Sequence, residues 1–122
     1  MAVLTNTGLG VISKRLISNS ALPNIIKIGD GATSNAHSAS VADTSLYNPY
    51  DTVTGALSNE MSVINNDTSV ITGIFDFVTD SAIDEIGILA GSDLVVSITP
   101  VRFTMSAGET LTVIVKLIHR GA

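Results

Sequence analysis

Few of the residue types that carry out catalysis stand close together in this sequence. The two histidines, His37 and His119, lie far apart, and neither has a second histidine, a cysteine or a glutamate at the spacing of a zinc site. Asp84 and Glu85 are adjacent in a segment typical of a strand, where neighbouring side chains point to opposite faces, so they are not placed to act as an acid–base pair. We therefore predict no catalytic residues, no metal and no cofactor, and hence no enzyme.

Motifs rich in glycine, serine and asparagine also differ from known active-site patterns. Gly29-Asp30-Gly31 lacks the further glycine, the lysine and the Ser/Thr of a phosphate-binding loop, so we interpret it as a tight turn. Asn65-Asn66-Asp67 does not supply the alternating ligands and terminal glutamate of a calcium loop. For Glu85 we expect either a hydrogen bond to nearby backbone or an ion pair with Arg102 or Lys116.

The composition is that of one small domain without covalent cross-links. The chain has 122 residues, which fits a single domain spanning 1–122. Hydrophobic residues make up 45% of it but aromatic residues only 4%, so Val, Ile, Leu and Ala must fill the core, and β-branched residues favour strands. Cysteine is absent, which excludes disulfides and thiolate metal sites.

Charge and hydropathy limit the classes of partner. The formal net charge of −5 argues against binding to a phosphate backbone, which requires clustered Lys and Arg. No apolar run approaches the roughly 18 residues that span a bilayer, and the N-terminus lacks the features of a signal peptide. We expect a soluble protein, assembled in a cytoplasm, with no nucleic-acid and no membrane partner.

Periodicity predicts one helix followed by strands. Thr5 or Asn6 can cap a helix over about 5–18, with an apolar stripe at Leu9, Ile12 and Leu16 that Val11 widens. Ile25-Ile26-Lys27-Ile28 is typical of a short strand that ends in the Gly-Asp-Gly turn. A long polar loop is expected over about 32–57.

The segment 58–122 is predicted to be rich in β-structure. Short apolar runs recur there at roughly 8–12 residues with turn signals between them, which is typical of an antiparallel sandwich or barrel. The expected strands lie at about 60–64, 70–78, 83–89, 94–98, 101–104 and 110–118. The predicted fold is mainly β (α+β): an antiparallel β-sandwich or barrel-like domain, with one short N-terminal helix packed on it and a long polar loop.

Three short motifs occur in a characteristic order: Leu4-Thr5-Asn6-Thr7-Gly8, then Ile28-Gly29-Asp30-Gly31, then Glu85-Ile86-Gly87-Ile88. In this order they resemble the N-terminal domain of bacteriophage tail-collar fibre proteins. That family opens with a Leu-Thr-Asn-x-Gly helix start, continues through a Gly-Asp-Gly turn and reaches a Glu-Ile-Gly-hydrophobic strand. Leu57-Ser58-Asn59-Glu60 matches a Leu-x-Asn-Glu element that precedes the first main strand in that family. Residues 107–113 are similar to the last strand of many small phage virion proteins.

The resemblance implies a structural protein of a tailed-phage virion, located in the virion after assembly in the host cytoplasm. Members of the family continue into a long fibre, whereas this sequence stops at Ala122. We therefore expect it to anchor, cap or decorate the virion through an interface with copies of itself or with a larger virion protein. The expected role is a tail, baseplate or collar component that docks a fibre or a neighbouring virion protein. The expected partners are copies of itself, as a trimer or ring, and other phage virion proteins. The alternative is a capsid decoration protein that stabilises the head.

The expected contact lies in the long loop, at Leu46, Tyr47, Asn48, Pro49 and Tyr50. These residues form one apolar cluster inside an otherwise polar segment. We expect an arm, ordered only in the assembled particle, that reaches a neighbour through this cluster. A carbohydrate-binding module, with the two tyrosines as a sugar platform, is a third possibility; the low aromatic content argues against it.

Overall fold

One helix and ten strands make up the described part of the chain. The computed structural model describes residues 2–17, 21–31, 38–60, 68–99 and 101–118. The helix, α1, spans Asn6–Ile17. The strands are β1 Ala2–Leu4, β2 Ile25–Gly29, β3 Pro49–Thr54, β4 Ala56–Glu60, β5 Thr68–Asp76, β6 Ser81–Ile83, β7 Glu85–Ala90, β8 Asp93–Ile98, β9 Phe103–Met105 and β10 Thr110–Ile118.

The strands form antiparallel sheets that enclose one main core. A five-stranded sheet has the order β1-β8-β7-β2-β3, a three-stranded sheet has the order β10-β5-β4, and β6 pairs with β9. Residues from both larger sheets meet in the core, where alternate side chains of each strand point inward. They include Ile26, Ile28, Ile86, Ile88 and Val96 from the five-stranded sheet and Ile71, Phe75, Val113 and Val115 from the three-stranded sheet. The predicted fold, a mainly β antiparallel sandwich with a short N-terminal helix, is confirmed.

The N-terminus of α1 is fixed to β8 by Thr5. The Thr5 hydroxyl accepts a hydrogen bond from the Gly8 N–H at 2.9 Å, as expected of an N-cap residue. The same hydroxyl donates to the Leu94 carbonyl oxygen, and the Thr5 N–H donates to the Val95 carbonyl at 2.9 Å. The helix therefore begins at a position that the backbone of β8 determines.

The predicted apolar stripe of α1 is wrong at its first position. Leu9 is exposed, whereas Gly8 and Val11 are buried and Ile12 is half-buried. A Cβ atom on Gly8 would collide with the backbone of Val95, so the close approach of helix and strand selects glycine there and turns Leu9 outward. The side chain of Leu16 lies outside the described residues.

The predicted bounds of the secondary-structure elements agree best with the structure at the C-terminal end of the chain and least well in the polar loop. β10 matches the predicted strand at both ends, and the predicted hairpin is formed by β7 and β8. The loop predicted over about 32–57 is wrong in its second half, because β3 and the first two residues of β4 lie there. β1 was not predicted. Residues 61–67, which include part of the strand expected at 60–64, lie outside the described residues.

Among the described residues, no helix combines the length and the apolar character needed to cross a membrane.

Candidate interaction surface

Leu46 is packed against the outer face of the five-stranded sheet. Its side chain is only 7% exposed and lies in a small apolar cluster with Leu89 and Leu94, separate from the main core. Gly87 lies beneath it, and a Cβ atom at Gly87 would come within 3.0 Å of Leu46 Cδ2. The glycine of the Glu-Ile-Gly motif therefore makes room for Leu46.

Glu85, two residues before Gly87 and on the same face of β7, holds the backbone that follows Leu46. Its side chain is almost completely buried. Oε2 accepts a hydrogen bond from the Tyr47 N–H at 3.0 Å, and Oε1 accepts one from the Asn48 N–H at 2.8 Å. The two carboxylate oxygens thus satisfy two consecutive backbone donors. Of the two roles expected for Glu85, the hydrogen bond to backbone is confirmed, while Lys116 pairs with Glu60 at 2.8 Å.

The Gly-Asp-Gly turn closes the same cluster from the other side. A Cβ atom at Gly29 would stand 2.5 Å from Glu85 Oε1, and one at Gly31 would stand 2.7 Å from Glu85 Oε2. The Asp30 N–H donates to the Asn48 carbonyl at 3.2 Å, and the Asn48 side-chain amide donates to the Asp30 carboxylate. The turn is therefore built without side chains at 29 and 31 so that Glu85 and residues 47–48 fit against it. We call Gly29–Gly31, Leu46–Asn48, Glu85 and Gly87 the Glu85 cluster.

The segment 47–50, which begins in the Glu85 cluster, presents two aromatic rings at the surface. Tyr47 is 51% exposed and Tyr50 is 42% exposed. The Tyr50 hydroxyl donates to the Ala82 carbonyl at 2.8 Å, which ties the start of β3 to β6. Because the backbone of 46–50 is held at Leu46 and at residues 47–48, the position from which each ring projects is set before any partner arrives, and the Tyr50 ring is also held by its hydroxyl.

The hydroxyl of Tyr50 lies among carboxylates. Partial burial raises the pKa of Tyr50, and the negative charges of Asp30, Asp51 and Asp84 raise it further, against a hydrogen bond with Ser81 that lowers it. The phenol therefore stays protonated to a higher pH in the folded chain than in the unfolded chain. The resulting contribution to stability is fully present below the unfolded value of about 10 and is lost as the pH rises through the folded pKa.

An alkaline titration of tyrosinate absorbance is the test of this environment. In Tyr47→Phe the single remaining tyrosine is Tyr50, and its tyrosinate ionisation should lie at a higher pH in the folded protein than in the same variant unfolded by denaturant. Ionisation at the same pH in the folded and unfolded states would contradict the assignment.

The structure separates the five residues expected to contact a partner. Leu46 belongs to the interior of its own chain, so the expectation that it reaches a neighbour is wrong. Asn48 is exposed but its backbone and side chain bond to Glu85 and Asp30, and Pro49 begins β3. Tyr47 and Tyr50 are the residues of the set that offer aromatic surface. Their role in binding remains a prediction.

The Gly-Asp-Gly turn, the Glu-Ile-Gly strand and the tyrosine segment are three separate features of the sequence, but in the structure they form one cluster. One signal for it was available: Glu85 and Gly87 share a strand face, and a polar side chain beside a glycine there indicates that backbone crosses that face. The spacing of the motifs does not identify which segment of backbone crosses that face.

An apolar cleft of about 390 Å³ lies between α1 and the three-stranded sheet. Its lining includes Val11, Ile12, Leu57, Val70 and Leu117.

Among the described residues, no three His, Cys, Asp or Glu side chains stand close enough together to hold a metal ion. His37 and His119 lie outside the part of the chain that the structure describes. The expectation that the protein is not an enzyme stays a prediction.

Comparison with known proteins found no matching family model, no matching curated protein and no matching solved structure. The resemblance to the tail-collar domain therefore rests on the residues of its motifs.

Proposed function

We propose that this protein is a non-enzymatic structural component of a tailed-phage virion, which docks a fibre or a neighbouring virion protein at the tail, baseplate or collar. In this proposal its partners are other virion proteins and further copies of itself. The protein resides in the virion after assembly in the host cytoplasm.

The observation that carries the proposal is the Glu85 cluster. Two of the three motifs on which the resemblance rests, Gly29-Asp30-Gly31 and Glu85-Ile86-Gly87, converge there on the tyrosine segment. Residues on which the resemblance rests therefore also hold the backbone of the segment that presents Tyr47 at the surface. Rigid, partly exposed tyrosines are typical of protein interfaces, since they give large contact area at little cost in conformational entropy.

The test of the proposal is a mass-spectrometric count of this protein in purified particles. About a dozen copies or fewer per particle supports a tail position, because tail components follow the low-order symmetry of the tail. Hundreds of copies would support the alternative, a decoration protein on the head. Absence from purified particles would overturn the virion assignment.

Replacing Tyr47 with alanine should reduce incorporation into particles by about tenfold or more while leaving the chain folded. The ring is half exposed, and alanine keeps the Cβ atom that packs over Gly31, so stability should change by less than about 1 kcal/mol. The measurement compares the abundance of variant and wild type in purified particles with their thermal unfolding in solution.

The matched control is Val78→Ala, which removes a highly exposed apolar side chain from the turn after β5. It should incorporate normally. Equal incorporation of Tyr47→Ala and wild type would remove this ring from the interface. Deleting residues 45–51 is an unsuitable test, because it would remove Leu46 from its apolar cluster and shorten β3.

A further inference from the structure

β10 is a long strand at the edge of the three-stranded sheet. All nine of its residues, Thr110–Ile118, are in register with β5 on one side. Within the described ranges no strand pairs with its other side. A strand in this position presents a row of backbone N–H and C=O groups that can bond to another strand.

The other sheet edges carry features that discourage such pairing, and β10 does not. β1 has three residues, β3 begins with Pro49 and contains Asp51, and β4 has five residues and ends at Glu60. Short length, proline and charge are the usual protections of an edge strand. The sequence of β10, Thr-Leu-Thr-Val-Ile-Val-Lys-Leu-Ile, has no proline, no glycine and one charge. Its composition is that of a strand suited to the interior of a sheet.

β10 is also complementary to itself when turned antiparallel. A two-fold axis through its central residue, Ile114, places Ile114 opposite the partner's Ile114. It places Val113 opposite Val115, Leu111 opposite Leu117 and Thr112 opposite Lys116 in the second copy. Every inward-facing pair is then apolar on both sides, and the single lysine meets a threonine and not another lysine.

The exposure of these residues agrees with such a contact. Ile114 is 56% exposed on the outer face of the sheet, although β-branched apolar residues are typical of covered positions. Leu111 and Leu117 face the core but are only partly buried. Beside a second β10, each of them would gain an apolar neighbour across the new strand pair.

We propose that two copies of this chain associate by antiparallel pairing of their β10 strands about Ile114, which joins the two three-stranded sheets into one six-stranded sheet. This deepens the proposed function, because it names the surface by which the protein binds itself. A two-fold contact makes a dimer, so a trimer or a simple ring would need a different surface.

Cysteine cross-linking tests the register directly. The chain has no cysteine, so Ile114→Cys introduces a single thiol. Directly opposed residues of an antiparallel pair have Cα atoms about 4.5–5.5 Å apart, which is within the range of a disulfide. Under mild oxidation Ile114→Cys should form a covalent dimer. The control is Ile74→Cys, since Ile74 is 58% exposed on the same face but lies on β5, one strand away from the proposed axis.

Charge substitutions test the orientation by analytical ultracentrifugation. Ile114→Lys puts two ammonium groups opposite each other and should raise the dimer Kd about tenfold or more, whereas Ile74→Lys should leave it nearly unchanged. Thr112→Glu puts a carboxylate opposite the partner's Lys116 and should lower the Kd at low salt. In a parallel pairing the same change would oppose two glutamates and raise the Kd.

A wild-type chain that stays monomeric in ultracentrifugation would overturn the proposal. So would a dimer that Ile114→Lys leaves intact, or cross-linking that is equal in Ile114→Cys and Ile74→Cys. These outcomes are separate from the fate of the virion assignment, which the particle count decides. A protein found in particles but unaffected by the β10 variants would retain the proposed function and lose only this interface.

Discussion

Glu85→Gln should destabilise the folded chain by about 1–3 kcal/mol, although the change replaces one oxygen by an NH₂ group. In the wild type both carboxylate oxygens accept backbone N–H groups, from Tyr47 and from Asn48. Glutamine retains one acceptor and turns a donor toward the other N–H, so one backbone donor beside the almost completely buried side chain of residue 85 loses its partner. Chemical denaturation measures the loss.

The matched control is Glu109→Gln, because the Glu109 carboxylate also accepts a backbone N–H, from Ser106, but at an exposed site. Water can replace the lost bond there, so stability should change by less than about 0.5 kcal/mol. Hydrogen exchange adds a local readout: the amides of Tyr47 and Asn48 should exchange faster in Glu85→Gln and not in Glu109→Gln. Equal stability losses in the two variants would show that the Glu85 cluster does not hold this segment.

The β-sandwich could be predicted from the sequence because its strands carry local signals. β10 alternates Leu111, Val113, Val115 and Leu117 on one face, and a period of two is enough to place a strand. The β7–β8 hairpin was likewise indicated by two apolar runs around a Gly-Ser-Asp turn, where Gly91 adopts a positive φ of 62°. Each of these signals lies within one short, continuous stretch of chain.

The Glu85 cluster could not be predicted in the same way, because its contacts are not local. Glu85 lies 38 residues from Tyr47 and 37 from Asn48, and no periodicity links such positions. The polar segment before β3 is therefore predicted as a free arm, whereas the buried residue Leu46 packs this segment against the sheet. A tertiary contact of this kind overrides the expectation that polar segments extend into solvent.

The same limit explains the misplaced face of α1. Hydrophobic periodicity favours Leu9 as a core residue, and helix propensity predicts that Gly8 weakens the helix. In the structure the helix lies so close to β8 that only a residue without a side chain fits at the contact. The glycine is therefore a packing residue, and the apolar stripe is turned by one position toward Val11.

Gly8→Ala and Gly10→Ala should consequently have opposite effects on stability. Both substitute alanine for glycine in α1, which by helix propensity alone stabilises by up to about 1 kcal/mol. At Gly10 a Cβ atom meets nothing within 4 Å, so Gly10→Ala should show that gain. At Gly8 the Cβ atom collides with the Val95 backbone. Unlike a side chain, this backbone cannot relieve the collision by changing its rotamer. The helix must then move away from β8, and this strains the bonds between Thr5 and Leu94–Val95.

The expected cost of Gly8→Ala is about 1–3 kcal/mol, the range for overpacking of a close contact. Thermal and denaturant unfolding of the two variants and the wild type measure the difference. Stabilisation by both substitutions would mean that α1 stands farther from β8 than described, and that propensity alone governs the helix. Destabilisation by Gly8→Ala alone would place the glycine of the Leu-Thr-Asn-x-Gly motif in the same class as those of the Gly-Asp-Gly and Glu-Ile-Gly motifs. In all three motifs, glycine would then be selected because another part of the chain must pass within van der Waals distance of its backbone.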